Sequence, residues 1–275
     1  MNILKNRIKQ KSICGVLFFI CACISAQEFY FNAGFSRMVM LDLHASPLVL
    51  NSSGITAEIG YRDNKPRHIF YAGGMFAYDW LYPDELGQNK LAVSWINDKG
   101  ERESIIREIE YNNLGGSLTI GFLFRIPAAK TVQNEAFIDV GVNVKELLRY
   151  SLSEQQHGMM NVIALNLESR YECCIHTKHK LEMSASFPLT AAVTRLPYSS
   201  DPTMPDRTYT YGFFKKGTRF AFVNTFQDVQ CGISYSYQLT PQMALCTGYT
   251  FNWLHYALPN DITIINNNFT FGVKL

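Results

Sequence analysis

The chain has 275 residues, of which 47% are hydrophobic and 17% are charged. This composition is ordinary for a folded protein and does not by itself separate soluble from membrane proteins. The formal net charge of +2 excludes a strongly basic surface of the kind that attracts nucleic acid.

The first 26 residues have the order of a secretory signal peptide. Four basic residues precede an apolar run over residues 13–24, and the small residues Ser25 and Ala26 come before the polar Gln27. The run is too short to cross a hydrocarbon core of ~30 Å as a helix. We therefore expect Sec-type export with cleavage after Ala26, which leaves residues 27–275 with a net charge of −2. A lipoprotein acylated at Cys23 is the alternative.

Four cysteines remain after this leader, and their spacing predicts neither a disulfide framework nor a metal site. Cys173 and Cys174 are adjacent, and Cys231 and Cys246 have opposite parity about a turn near Pro241, so these two are expected to face opposite sides of a sheet. No CxxC spacing occurs, and no glycine-rich phosphate loop precedes a helix. We expect no metal and no cofactor.

The mature part is dominated by a two-residue alternation of apolar and polar side chains. In residues 136–147, Ile138, Val140 and Val142 take one face, whereas Asp139 takes the other. The same alternation covers residues 114–126, 181–194, 229–239 and 269–275, with Val193 assigned to the apolar face and Thr190 and Thr194 to the polar face. No apolar run of 18 residues follows Gln27, so a membrane crossing would have to be made by strands.

Five weaker segments complete a predicted set of ten strands, within a range of eight to twelve: residues 38–50, 54–62, 68–80, 159–172 and 243–256. Short turns alternate with mostly longer connections, which is typical of an antiparallel up-and-down transmembrane β-barrel with both termini on one side. Residues 91–96 and 101–106 are expected to form a hairpin within one long loop. No helix is predicted in the mature part.

The predicted inward faces carry charged and amide side chains that are the candidate lining of a lumen. These are Asp42, Arg62, Arg125, Asp139, Asn143, Lys145, Glu168, Arg170, Glu182 and Lys274. A ten-stranded barrel is only slightly wider than one that side chains can fill. Two interpretations follow: a filled, salt-bridged lumen, or a narrow porin-like pore.

The leader ending in Ser25-Ala26-Gln27, the alternating strands and the closing segment Phe-Thr-Phe-Gly-Val-Lys-Leu over residues 269–275 resemble uncharacterised outer-membrane barrel proteins of the Bacteroidota. The resemblance implies a Gram-negative outer membrane, contact with its lipids, insertion by the barrel-assembly machinery, and no nucleic-acid partner. Such barrels commonly end in an aromatic residue, whereas this chain ends in Leu275.

A Ser-His-Glu constellation gives an enzymatic alternative. If Leu50 pairs with Gly54, Ser46 lies opposite Glu58, and His44 shares a face with Ser46. The spacing is similar to that of the outer-membrane lipid A 3-O-deacylases, which implies nucleophile, base and orienting roles for Ser46, His44 and Glu58. The chain departs from that pattern at Pro47, and the trio has the parity of the polar inner face, whereas a lipid substrate needs the outer face.

We therefore expect a monomeric outer-membrane barrel with a structural, narrow-pore or surface-binding role. A lipid hydrolase is the alternative function, and a soluble sandwich or lipocalin-like barrel is the alternative fold.

Overall fold

The structure is a computed structural model that describes residues 27–43, 46–83, 90–96, 100–108, 111–130, 134–152, 157–175, 178–195 and 207–275. Within these ranges, ten long strands form one closed antiparallel barrel, as the alternation predicts. They are β1 Gln27–Asp42, β2 Ser46–Asn64, β3 His68–Pro83, β6 Tyr111–Lys130, β7 Asn134–Leu152, β8 His157–Ile175, β9 His179–Arg195, β11 Phe226–Thr240, β12 Met243–Tyr256 and β13 Ile262–Lys274. The predicted leader lies outside the described residues.

Pairing between the first and last strands closes the barrel. The chain ends meet there, because the Phe29 amide donates to the Leu275 carbonyl oxygen at 3.0 Å. We call this the turn end, since short connections over residues 65–67 and 241–242 also lie on this side. The opposite side is the loop end. The expectation that the first strand begins and the last strand ends on the same side of the barrel is therefore confirmed.

The outer face of the barrel is apolar and the inner face is polar. On β7, Ile138 and Val144 are 42% and 48% exposed, whereas Asp139 is fully buried. The same contrast places Leu118 and Phe124 outside. A continuous apolar exterior of this size would be unusual on a soluble protein but matches the lipid-facing band of a transmembrane barrel. The fold is therefore a transmembrane β-barrel, and the soluble alternative is wrong.

The first two strands differ from the prediction. β1 begins at Gln27, and the chain reverses after Asp42, so Met40 pairs with Leu50 and residues 38–50 are not one strand. In this hairpin even-numbered residues pair with even-numbered ones and odd with odd. The alternation of apolar and polar side chains therefore continues through the turn without interruption. The alternation alone could not reveal the reversal.

Strand β9 changes its inward parity part-way along. The register to β8 shifts where Pro188 pairs with Asn166, because proline has no amide hydrogen for the ladder and the strand bulges there. Val193, predicted to face lipid, is consequently buried in the interior. Thr194, predicted to face inward, instead lies 2.8 Å, oxygen to oxygen, from Thr218 of the short strand β10, Thr218–Phe222, which pairs with this part of β9.

The loop end carries two small elements besides β10. The predicted hairpin is confirmed as β4 Lys90–Ile96 paired with β5 Arg102–Glu108, and Gly100 near its turn has a φ of 80°. The helix α1, Tyr209–Gly217, was not predicted. It forms because the Thr208 side chain caps its first turn and Phe213 is buried, although its glycines and aromatic residues are weak helix formers. No helix of the described part is long and apolar enough to cross a membrane.

Candidate functional site: the barrel lumen

The turn end of the lumen is narrowed by buried ion pairs centred on Arg62. Its guanidinium contacts Glu172 at 3.1 Å and Glu182 at 2.6 Å. Glu172 also binds Arg125 at 3.1 Å, and Arg125 contacts Asp139 at 3.0 Å. Because these residues come from β2, β6, β7, β8 and β9, the pairs cross the lumen rather than follow one strand.

A second set of contacts extends this network along β8. Arg170 contacts Glu168 at 3.0 Å and Glu182 at 3.4 Å, and its guanidinium lies 5.0 Å from the ring centroid of Tyr71. The Tyr71 hydroxyl donates to Glu168, and the Asn143 amide donates to the same carboxylate at 2.7 Å. Buried charges are tolerated when they are paired and hydrogen-bonded in this way. We call the whole set the ion-pair belt: Glu28, Arg62, Arg125, Asp139, Glu168, Arg170, Glu172, Lys180, Glu182 and Lys274.

Above the ion-pair belt lies a cavity of about 290 Å³. Its wall combines hydroxyl and amide side chains, such as Ser117, Thr250 and Gln230, with charged side chains that include members of the belt. Inward glycines make room for two tyrosine rings that lie along the wall, because a Cβ at Gly60 would overlap Tyr30 and a Cβ at Gly121 would overlap Tyr71. The middle of the lumen is therefore polar and partly empty.

The loop end of the lumen is filled by apolar side chains instead. We call this set the loop-end core; each member is at most 8% exposed, and Leu254 and Ile264 are fully buried. Nine of the ten barrel strands and β10 contribute to it: Met38, Met40, Leu50, Leu81, Leu147, Met160, Val162, Ala164, Ala191, Val193, Ala221, Phe226, Leu254, Tyr256, Ile262 and Ile264. These side chains pack against one another across the loop end of the lumen.

Two buried ion pairs accompany the loop-end core. Arg195 pairs with Asp42 across the mouth of the barrel, and its guanidinium also donates to the Asn260 carbonyl oxygen at 2.6 Å. Lys145 binds Asp228 at 2.9 Å at the level of the core, where Asp228 pairs in register with Leu254. These pairs join strands on different sides of the barrel and so stabilise the shape of its cross-section.

The ten residues proposed from sequence to line the lumen all lie on the inner side and contact other inward side chains. Sequence reasoning missed Tyr30, Tyr71, Asp79, Arg149, Glu172, Arg195 and Asp228, which also point inward. Glu172 continues the even parity of Glu168 and Arg170, so parity alone could have found it. Arg195 could not have been found, because its parity depends on the bulge near Pro188.

The pairing of Leu50 with Gly54, on which the Ser-His-Glu alternative depended, is wrong, because Leu50 pairs with Met40 and Gly54 with Ser36. Ser46 pairs with Asp42 at the loop end, whereas Glu58 pairs with Asn32. The two are twelve positions apart on β2, which at the rise of an antiparallel strand is roughly 40 Å. His44 lies outside the described residues.

The structure places two of the four described cysteines on opposite faces of the barrel wall. Cys231 is exposed and Cys246 is buried, so they face opposite sides, as predicted. In the part of the chain that the structure describes, no three histidine, cysteine or acidic side chains are grouped to hold a metal ion.

Comparison with known proteins extends the fold description only. No protein-family model matches the chain, and no curated protein matches its sequence. Among solved structures, the outer-membrane protease OmpT of Escherichia coli is 8% identical, with 90% of this chain and 95% of that chain covered and a TM-score of 0.45. The transport unit of the autotransporter AIDA-I of Escherichia coli is 11% identical, covering 91% and 90%, with a TM-score of 0.43. The translocator domain of the autotransporter NalP of Neisseria meningitidis is 10% identical, covering 98% and 95%, with a TM-score of 0.38.

Proposed function

We propose that this protein is an integral outer-membrane barrel with a closed lumen, and that its role is structural or surface-binding rather than conductive. The observation that carries the proposal is the loop-end core, a layer of buried apolar side chains across the whole lumen. An ion in such a packed layer would lose most of its hydration and gain few polar partners in return. The ion-pair belt narrows the turn end but does not close it, since several of its members line the central cavity.

The outer-membrane location is supported by the barrel type and the leader pattern. Single-chain barrels with an even number of antiparallel strands and a lipid-facing apolar band are characteristic of bacterial outer membranes. The apolar run and small residues before Gln27 are those of an exported chain. Membrane lipids are then the direct partners of the outer face, the barrel-assembly machinery inserts the chain, and the barrel is monomeric.

A surface-binding role would be carried by the elements at the loop end. The β4–β5 hairpin belongs to a sheet separate from the barrel and exposes Trp95 and Ile96, at 44% and 74%. Exposed aromatic and aliphatic side chains of this kind are enriched in the centres of protein interfaces. The lipid-hydrolase alternative is not proposed, since Ser46 and Glu58 are far apart.

A liposome-swelling assay tests the closed lumen. Purified mature protein is reconstituted into liposomes, which are then diluted into arabinose. We expect swelling no faster than in protein-free liposomes, with a general porin as the positive control. A swelling rate that rises in proportion to the amount of this protein would overturn the proposal.

A further inference from the structure

Nearly every charged side chain of the lumen contacts a group of opposite charge. Apart from the pairs already described, Lys180 binds Glu172 at 2.9 Å and Lys274 binds Glu28 at 3.4 Å. Among the described inward residues, the exceptions are Asp79, Arg149 and Glu58. The first two partly offset one another, because Asp79 attracts the Arg149 guanidinium electrostatically without touching it.

Glu58 is then the lumen carboxylate without a basic partner among the described residues. Its hydrogen-bond donor is a neutral one, the Asn32 amide, at 2.9 Å. Glu58 is partly buried, and partial desolvation of a carboxylate without a counter-charge is unfavourable, since a neutral donor replaces only part of its hydration. A cation placed beside Glu58 would relieve this cost.

The surroundings of Glu58 leave room for such a cation. Glu58 and Tyr30 both line the cavity, and the Tyr30 ring lies along Gly60 and Gly73 rather than over the carboxylate. In the described part of the chain, the Tyr30 hydroxyl has no hydrogen-bond partner. The carboxylate, this hydroxyl and the tyrosine ring together offer what a protonated amine binds well: a counter-charge, an acceptor and a π face.

The size and polarity of the cavity restrict the ligand further. A volume of about 290 Å³ is near the lower limit of ligand pockets, which begin at roughly 300 Å³. The hydroxyls of Ser184, Ser186 and Thr250 on the wall suit a hydroxylated molecule. The loop-end core lies on the far side of the cavity, whereas Glu28 and Lys274, which pair at the turn end, belong to the cavity wall themselves, so the cavity reaches the turn end and a solute would enter there.

From this geometry we propose that the lumen cavity binds a small hydroxylated solute with a single ammonium group, and that Glu58 is its counter-ion. The amine lies beside the Glu58 carboxylate and the Tyr30 hydroxyl, and the hydroxyl groups of the solute meet the serine and threonine side chains of the wall. The proposal goes beyond the closed-barrel function and does not depend on it, since binding at the turn end requires no passage through the barrel.

Calorimetric titration of the mature protein in detergent micelles tests this with two matched probes, glucosamine and glucose, in mildly acidic buffer. We expect glucosamine to bind at least about tenfold more tightly than glucose, which corresponds to about 1.4 kcal/mol. The comparison uses the unaltered protein and so needs no variant to fold. Equal affinities, or no binding of either sugar, would overturn the proposal.

Two further measurements locate the site and identify the cation. Glu58→Gln should reduce glucosamine affinity to that of glucose, whereas Glu103→Gln, on the hairpin outside the lumen, should change neither. Potassium chloride at the glucosamine concentration should not displace the amine. Displacement by potassium would indicate a site for inorganic cations, and an unchanged Glu58→Gln affinity would place the amine elsewhere; either result contradicts the proposal. Liposome swelling would remain absent in all these cases if the closed-lumen proposal holds.

Discussion

The two ends of the lumen are filled by opposite kinds of chemistry. At the turn end, arginines and carboxylates from five strands pair with one another, whereas at the loop end the inward positions of the same barrel carry methionine, leucine, isoleucine and phenylalanine. The ion-pair belt is stable only while each charge keeps its partner, because an unpaired buried charge is costly. The loop-end core depends on packing, so the stability lost when one of its residues is substituted increases with the side-chain volume removed. The stability of the turn end therefore depends on charge pairing, whereas that of the loop end depends on packing.

Removing the central cation of the belt should have the largest effect. Arg62→Met leaves Glu172 and Glu182 without a shared partner, and we expect a loss of about 3–5 kcal/mol in the free energy of unfolding. Lys65→Met is the matched control, because Lys65 forms an exposed pair with Asp63 that is worth at most about 1 kcal/mol. Urea unfolding in detergent measures both. Similar losses for the two variants would show that the belt is not a buried network.

Truncating a side chain of the loop-end core should lower the free energy of unfolding slightly less. Leu254→Ala removes a fully buried side chain, and we expect a loss of about 3 kcal/mol. Leu245 lies on the same strand but faces lipid and is 47% exposed, so Leu245→Ala should lose less than half as much. The same unfolding titration compares them. If Leu245→Ala lowers the free energy of unfolding as much as Leu254→Ala does, the lumen is packed no better than the lipid-facing surface.

A smaller effect is expected where the cavity wall meets the belt. Gly121→Ala would push the Tyr71 ring away from the wall and weaken its contact with Glu168, for a loss of about 2 kcal/mol from overpacking. Gly116, on the same strand, has space for a methyl group, so Gly116→Ala should be within about 0.5 kcal/mol of the parent protein. Thermal unfolding with both variants checks this. Equal unfolding temperatures for the two variants would mean that the Tyr71 ring can move aside without loss of stability.

The smallest effect on the barrel is expected from the hairpin. Gly100 has a positive φ that costs other residues about 1–2 kcal/mol. Because the hairpin forms its own two-stranded sheet, Gly100→Ala should loosen it locally and leave the unfolding of the barrel unchanged. Limited proteolysis should cut the hairpin faster in the variant while the barrel fragment stays intact. A shift in barrel unfolding would show that the hairpin is coupled to the lumen.

Much of the fold could be predicted from sequence because one physical rule governs it. A strand between lipid and lumen must alternate, so Ile138 and Asp139 already assign their faces. The rule gives no sign of the reversal after Asp42, because the alternation continues unchanged through that turn. It also fails at the bulge near Pro188, after which Val193 faces inward.

The lumen chemistry was less predictable than the fold. Parity identified which charged residues point inward, but not that Arg62 joins Glu172 and Glu182, since these pairs connect strands distant in sequence. The loop-end core was missed for a related reason. Inward Leu254 and Ile264 break the expected pattern of a polar inner face, and their burial becomes evident only when the strand ends are brought together.

Electrical recording in planar lipid bilayers tests the closed lumen most directly. The account predicts that the purified protein adds no stepwise current to that of the bare bilayer, because the loop-end core closes the lumen. Stable, ohmic current steps whose ion selectivity changes with Asp139→Asn or Arg125→Gln would contradict it, since such currents require a continuous aqueous path past those side chains.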